Sequence, residues 1–109
     1  MIDWKRVAEL QEEVGEEDFA EVAGLFLEEV AEGLAEFDPG AGIKAVQAHL
    51  HNLKGSALNL GFSEFAALCA TFEAPDRVTD FGAPEHAQLR QCFETSKAGF
   101  EAKFGSDLP

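Results

Sequence analysis

The segment IKAVQAHLHNLKGSALNLG, residues 43–61, decides the fold class of this chain. Its apolar seam has spacings of 3, 4, 3, 4 and 3, which are typical of a helix packed in a bundle: Ile43, Val46, Leu50, Leu53, Ala57 and Leu60. Asp38 and Pro39 predict the start of this helix as N-cap and first helical residue, because proline's fixed φ and missing N–H are harmless there. Gly61 predicts its end, so we expect a long helix from Pro39 to about Leu60.

Apolar residues recur at helical spacing on both sides of this segment as well. Four further helices are predicted: one after Asp3 as N-cap and up to Gly15, one from Glu16 to Phe37, one capped by Ser63 and halted by Pro75, and one opened by Pro84 and ending near Gly105. The stretch from Pro75 to Ala83 is predicted to be a loop. The sequence therefore predicts a single all-α domain over residues 1–109, an antiparallel up-down four-helix bundle with a short N-terminal helix packed across it.

Charge and composition exclude several classes of protein. The chain has 109 residues, with 21 acidic residues against 8 Lys plus Arg and a net charge of -13. Such a balance repels phosphate backbones and anionic lipids, so we expect no nucleic-acid partner and no membrane partner. The start of the chain lacks an export signal, and we expect a freestanding, monomeric, cytoplasmic protein. Cys69 and Cys92 lack metal-site spacing and are interpreted as buried free thiols, with a redox pair or a metal site as the alternatives.

The negative charge is missing from one part of the chain. The 25 residues from Pro39 to Ser63 contain no Asp or Glu, although about five would be expected at the average usage. A buried central helix would explain a loss of both signs of charge, but Lys44 and Lys54 remain. We therefore expect this helix to accommodate an anion.

The helical angles place one histidine on the outer side of this helix. His51 lies about 130° from the centre of the apolar seam, and Gly55 about 170° from it, so both should be exposed. The missing side chain of Gly55 leaves the ring accessible, and an exposed Lys54 at i+3 can reach whatever the ring carries. His49 lies about 160° around the helix from His51, so the two rings cannot share a metal ion. His49 is expected on the flank of the helix or at the edge of the core, and His86 on the surface.

The string Ala48-His49-Leu50-His51-Asn52-Leu53-Lys54-Gly55-Ser56-Ala57, followed by Leu60-Gly61-Phe62, resembles the His-x-Leu-Lys-Gly-Ser signature of histidine-containing phosphotransfer (HPt) domains. The resemblance extends to the helix order and to a Phe72-Glu73 pair where the family commonly has Leu-Glu. It implies that His51 accepts a phosphoryl group, that Lys54 assists and that Gly55 clears the docking surface. The early Pro75 departs from the family, in which the fourth helix often continues with basic residues.

Hairpin geometry predicts a second partner for the ring of His51. If the third and fourth helices turn around Phe62, His51 and Glu73 lie at the same height, each 11 residues from the turn. Glu73 is therefore a candidate to accept a hydrogen bond from Nδ1–H of His51, which leaves Nε2 free as the nucleophile. The alternative is a solvated surface glutamate.

The resemblance implies a phosphocarrier, not an enzyme, in a two-component phosphorelay. Its partner would be the receiver domain of a response regulator or of a hybrid histidine kinase, whose aspartate exchanges a phosphoryl group with His51. No cofactor and no metal site are predicted in this chain. The expected contacts with the receiver are the small, apolar and polar residues around His51: Gln47, Ala48, Asn52, Gly55, Leu58 and Phe62.

Two other classes remain open. A helical interaction module would use the same bundle without chemistry at His51. A metal-binding or hydrolytic protein would need converging histidines and carboxylates, yet the three histidines are dispersed along the chain.

Overall fold

A computed structural model describes residues 2–38 and 40–104 of the chain, and within them every regular element is helical. The α-helices are α1 (Trp4–Val14), α2 (Glu16–Glu36), α3 (Ile43–Leu60), α4 (Ser63–Glu73) and α5 (Ala83–Phe104), and a short 3₁₀ helix spans Val78–Asp80. The all-α prediction is therefore confirmed. None of the helices in the described part is long and apolar enough to cross a membrane.

Local chemistry sets several helix ends as the sequence predicts. The Asp3 carboxylate accepts hydrogen bonds from the backbone N–H groups of Lys5 and Arg6, at 3.1 and 3.2 Å, and so caps α1. Gly15 and Gly61 follow α1 and α3 with φ values of 85° and 83°. This left-handed region costs glycine little, which is why the helices end there.

The predicted start of α3 is wrong. Pro39 lies outside the described residues, but α3 begins only at Ile43, with Gly42 at the N-cap position. Asp38 instead stabilises a turn, because its side-chain Oδ1 accepts from the backbone N–H of Gly40 at 2.9 Å. Gly40 and Gly42 are poor helix formers, and Gly42 has a φ of 105° that a helix excludes.

The fourth helix and the segment after it also differ from the prediction. Ser63 is the first residue of α4 and not its cap, since Phe62 occupies the N-cap position. The predicted loop from Pro75 to Ala83 contains the 3₁₀ helix. Two residues of this segment, Val78 and Phe81, are buried in the hydrophobic core. Apolar burial therefore orders this connection. The predicted end of α5 near Gly105 lies outside the described residues, and α5 is described up to Phe104.

Helices α2, α3, α4 and α5 enclose one core. Helix α2 packs against α3, α3 against α4, α4 against α5 and α5 against α2, while α1 packs on α2 and α3. Phenylalanine rings fill one end of the core: Phe62 lies 5.8 Å from Phe100 and 6.2 Å from Phe93, centre to centre. At the same end, the backbone N–H of Asp3 donates to the carbonyl of Gly61 at 2.7 Å, which fixes α1 to the end of α3.

Two predictions about apolar residues need correction. Ile43 was assigned to the buried seam of α3, but it is 52% exposed, because it is the first residue of the helix and none of the described helices fully covers it. Cys69 and Cys92 are both free thiols, but only Cys69 is buried and Cys92 is half-buried. Burial raises the pKa of Cys69 to about 12, and it also raises the pKa of Cys92.

Candidate functional site

The outer face of α3 carries His51 in open solvent. The seam residues Leu50 and Leu53 point into the core, so His51 and Asn52, which lie between them in sequence, face solvent. The side chain of His51 is 70% exposed, as its helical angle predicts. A Cβ placed on Gly55 would meet no atom of a described neighbouring residue within 4 Å, so none of residues 2–38 and 40–104 crowds the helix surface one turn after His51.

Glu73, the last residue of α4, lies beside this face. The tight α3–α4 connection at Gly61 and Phe62 sets the register, and Nδ1 of His51 lies 3.4 Å from Oε2 of Glu73. The other carboxylate oxygen, Oε1, forms an ion pair with Nζ of Lys54. The Glu73 side chain is only 15% exposed, so its charge is poorly hydrated and depends on these two neighbours.

Lys54 is less exposed than the sequence indicates. Its side chain was expected to extend into solvent, but it is 25% exposed because the ammonium turns toward Glu73. A long aliphatic stem can cover apolar surface while its charged end reaches a partner. The carboxylate thus bridges the imidazole and the ammonium, and the three groups form one cluster.

This cluster has a defined chemical capacity. A carboxylate next to Nδ1 favours the imidazole tautomer that carries its proton on Nδ1, because only that tautomer donates to it. The Nε2 lone pair is then available to attack an electrophile from the solvent side. The 3.4 Å separation is longer than a normal N–H···O hydrogen bond, and such contacts often tighten when the reaction partner binds.

A surface cleft continues from His51 between α3 and the end of α4. It is lined by Lys44, Gln47, Ala48, His51 and Asn52 of α3 and by Glu73 of α4. Lys44 is one of the two lysines from which the sequence predicts that this helix accommodates an anion, and it lines the same cleft as His51. Its position seven residues before His51 places it on the same helix face.

The residues predicted to contact a partner separate into three groups. Phe62 was predicted on the contact surface, but it is fully buried, because α1 and α5 cover the α3–α4 turn. Gln47 is half-buried, and its Nε2 donates to the main-chain carbonyl of Glu73 at 2.8 Å. The remaining residues are exposed around His51, and we call them the docking face: Ala48, Asn52, Gly55 and Leu58.

The rings of the other two histidines, one on α3 and one on α5, contact the C-terminal end of α2. His49 is half-buried, and its Nε2 lies 2.8 Å from the carbonyl oxygen of Gly33, in line with the predicted position at the core edge. The prediction that His86 is a surface residue is wrong. Its ring is half-buried and stacks on Phe37, and its Nε2 lies 2.8 Å from the carbonyl oxygen of Leu34.

No metal centre is evident among residues 2–38 and 40–104. Within those ranges, no group of three or more His, Cys, Asp or Glu side chains is arranged to hold a metal ion.

A helical bundle that presents an exposed imidazole beside a carboxylate and an ammonium has the groups that a small phosphoryl carrier needs. The family model described as Hpt domain matches residues 21–99, which is well over half of the chain and includes the whole cluster. The chain belongs to this family, and membership implies histidine phosphotransfer in two-component signalling and interaction with response-regulator receiver domains. Comparisons with curated proteins and with solved structures gave no significant match.

Proposed function

We propose that this protein is a phosphorelay intermediate that accepts a phosphoryl group on Nε2 of His51 from a receiver-domain aspartate and passes it to another. The observation that carries the proposal is the exposed His51 ring beside Glu73 and Lys54, within the segment that matches the family. The proposed partner is the receiver domain of a response regulator or of a hybrid histidine kinase. The monomeric state and the cytoplasmic location are further predictions of the proposal.

The proposed step exchanges one bond at phosphorus. The Nε2 lone pair of a neutral His51 attacks the phosphorus of the aspartyl phosphate, an N–P bond forms, and the P–O bond to the aspartate breaks and releases its carboxylate. The Nδ1 proton stays on the ring, which becomes positively charged, and the Glu73 carboxylate stabilises that charge. The reverse sequence of bonds returns the phosphoryl group to an aspartate.

Lys54 is proposed to offset the negative charge of the transferred group. A pair of unit charges 4 to 5 Å apart contributes about 3 to 4 kcal/mol at an effective permittivity of about 20, before desolvation is subtracted. Because phosphoryl transfer has a loose transition state, positioning and charge stabilisation account for most of the catalysis. Any metal ion is proposed to be held by the receiver, and this chain is proposed to act as a carrier without a cofactor and not as an enzyme.

The docking face is proposed to receive the partner. Leu58 is 50% exposed, and Gly55 leaves room for a close approach beside the ring. An exposed leucine next to small residues resembles the apolar centre of a protein interface, and Asn52 would lie at its polar rim. The strongly negative remainder of the protein would disfavour other contacts with acidic proteins.

The test uses phosphorylated receiver domains as donors. The protein is incubated with a panel of receivers carrying a labelled aspartyl phosphate, and the acid-labile label is mapped by mass spectrometry. We expect the label on His51, none on the His51→Gln variant, and full labelling of the His49→Gln control. If His51→Gln binds a receiver normally and the wild-type chain takes no label, the protein is an interaction module and the proposal fails.

A further inference from the structure

Gln47 makes a contact that the proposed transfer reaction does not yet use. Its side chain is half-buried on α3, one turn before His51, and its Nε2 donates to the main-chain carbonyl of Glu73 at 2.8 Å. A carbonyl oxygen can only accept, so the orientation of this amide is fixed by its partner. The bond joins the middle of α3 to the last residue of α4.

The carbonyl of Glu73 needs a donor from outside its own helix. The last carbonyls of an α-helix have no intrahelical partner, and α4 ends at Glu73 because Ala74 turns to an extended conformation before Pro75. The next carbonyl, that of Ala74, accepts from the N–H groups of Arg77 and Val78, each at 2.9 Å. Gln47 therefore supplies from α3 the bond that α4 itself does not provide.

One stripe of α3 converges on Glu73. Gln47, His51 and Lys54 are spaced by four and three residues, so they lie on the same helix face. Gln47 binds the backbone of Glu73, whereas His51 and Lys54 contact its two carboxylate oxygens. The backbone contact is the only one of these three that involves no titratable group of the cluster.

We propose that Gln47 is a positioning residue, which keeps the Glu73 carboxylate at Nδ1 of His51 throughout phosphotransfer. The inference rests on the proposed function. When a phosphoryl group approaches, Lys54 turns toward it, and the ion pair that anchors the Glu73 side chain weakens while the two anions repel each other. A neutral hydrogen bond to the backbone persists through this change of charge. Gln47 thus fixes the backbone from which the Glu73 side chain extends, both in the resting protein and after the ion pair with Lys54 is lost.

The test separates positioning from contact with the partner. Gln47→Met keeps the length of the side chain but removes the donor, and Gln47→Asn keeps an amide but is one methylene too short to reach Glu73. Gln91→Met, at an exposed position on α5, is the matched control. Nitrogen-15 NMR of the His51 ring gives the fraction of the tautomer with its proton on Nδ1, and transfer from a phosphorylated receiver gives the rate.

We expect both Gln47 variants to lower the Nδ1–H fraction of His51 and to transfer about three- to tenfold more slowly, which is the effect of losing one neutral hydrogen bond. The Gln91→Met control should match the wild type in both measurements. Slower transfer with an unchanged ring tautomer would overturn the inference, because Gln47 would then act through the partner. An unchanged tautomer and an unchanged rate would overturn it as well.

The same experiment distinguishes failure of the inference from failure of the proposed function. The tautomer is measured in the unphosphorylated protein, so it reports on Gln47 even if His51 never takes a label. A wild-type chain that stays unlabelled refutes the phosphorelay role, and with it any role of Gln47 in transfer. A labelled wild type with the same tautomer in both variants refutes only the positioning role.

Discussion

Substitution of Gly55 should raise the stability of the protein while it slows phosphotransfer. Gly55 lies inside α3, four residues after His51, and a Cβ added there would meet no atom within 4 Å. Glycine inside a helix costs about 1 kcal/mol relative to alanine. Since no clash offsets this gain, Gly55→Ala should raise the free energy of unfolding by about 1 kcal/mol and the Tm by about 4 °C.

Two other helical glycines provide matched controls for stability. A Cβ on Gly99 in α5 would lie 3.6 Å from Cδ1 of Ile2, an ordinary contact, so Gly99→Ala should gain about as much as Gly55→Ala. A Cβ on Gly33 in α2 would lie 2.6 Å from Cδ2 of Leu53. Overpacking costs about 1 to 3 kcal/mol, so Gly33→Ala should destabilise the protein or leave it unchanged at best. Urea denaturation of the three variants measures these differences.

The same series then tests the docking face. Gly55→Gln places a longer side chain beside His51, where it would overlap with the docked receiver. An overlap that costs about 1.4 kcal/mol would slow transfer about tenfold. Gly99→Ala lies on a different helix and should transfer at the wild-type rate. Undiminished transfer by a stably folded Gly55→Gln would remove Gly55 from the docking face. A loss of stability in Gly55→Ala would refute the reasoning from open space around the helix.

Three further predictions follow from the site and from the core. Lys54→Met should lower the free energy of unfolding, measured by urea denaturation, by about 1 kcal/mol, because it removes the ion pair of the poorly hydrated Glu73 carboxylate. The double variant with Glu73→Gln should recover part of this loss. Leu58→Asp should slow transfer from a phosphorylated receiver with an unchanged Tm, and undiminished transfer would remove Leu58 from the docking face. Burial raises the pKa of Cys69 from 9.0 to about 12, so the folded state keeps this proton where the unfolded state loses it. Below pH 9 this contribution to the free energy of unfolding should be fully present. Between pH 9 and pH 12 the free energy of unfolding of the wild type should fall more steeply than that of Cys69→Ala, by about 1.4 kcal/mol per pH unit.

Several helix ends and the exposure of His51 followed from the sequence, because neighbouring residues decide them. The cap at Asp3 and the stops at Gly15 and Gly61 depend on hydrogen bonds and φ angles within a few residues. The exposure of His51 depends only on its angle from the apolar seam of its own helix. The predicted start of α3 was wrong because it relied on the preference of proline for the first helical position and neglected Gly40 and Gly42, which disfavour a helix.

The burial of Phe62 and His86 could not be predicted from the sequence, because it depends on which distant elements cover each residue. Phe62 lies in a short turn, where helical periodicity assigns no face, and α1 and α5 happen to close over it. His86 is held by Phe37 and by the carbonyl of Leu34, both more than 45 residues away in the chain. No local pattern encodes such a contact.

The sequence by itself determined the helices, the exposed histidine and the register that brings Glu73 to the height of His51. Only the tertiary structure decided that Lys54 and Gln47 also converge on Glu73, one on its carboxylate and the other on its backbone. The physical reason is that a helix fixes the angle and height of a side chain through its own hydrogen bonds, whereas the partner of that side chain is selected by the packing of a second helix against the first.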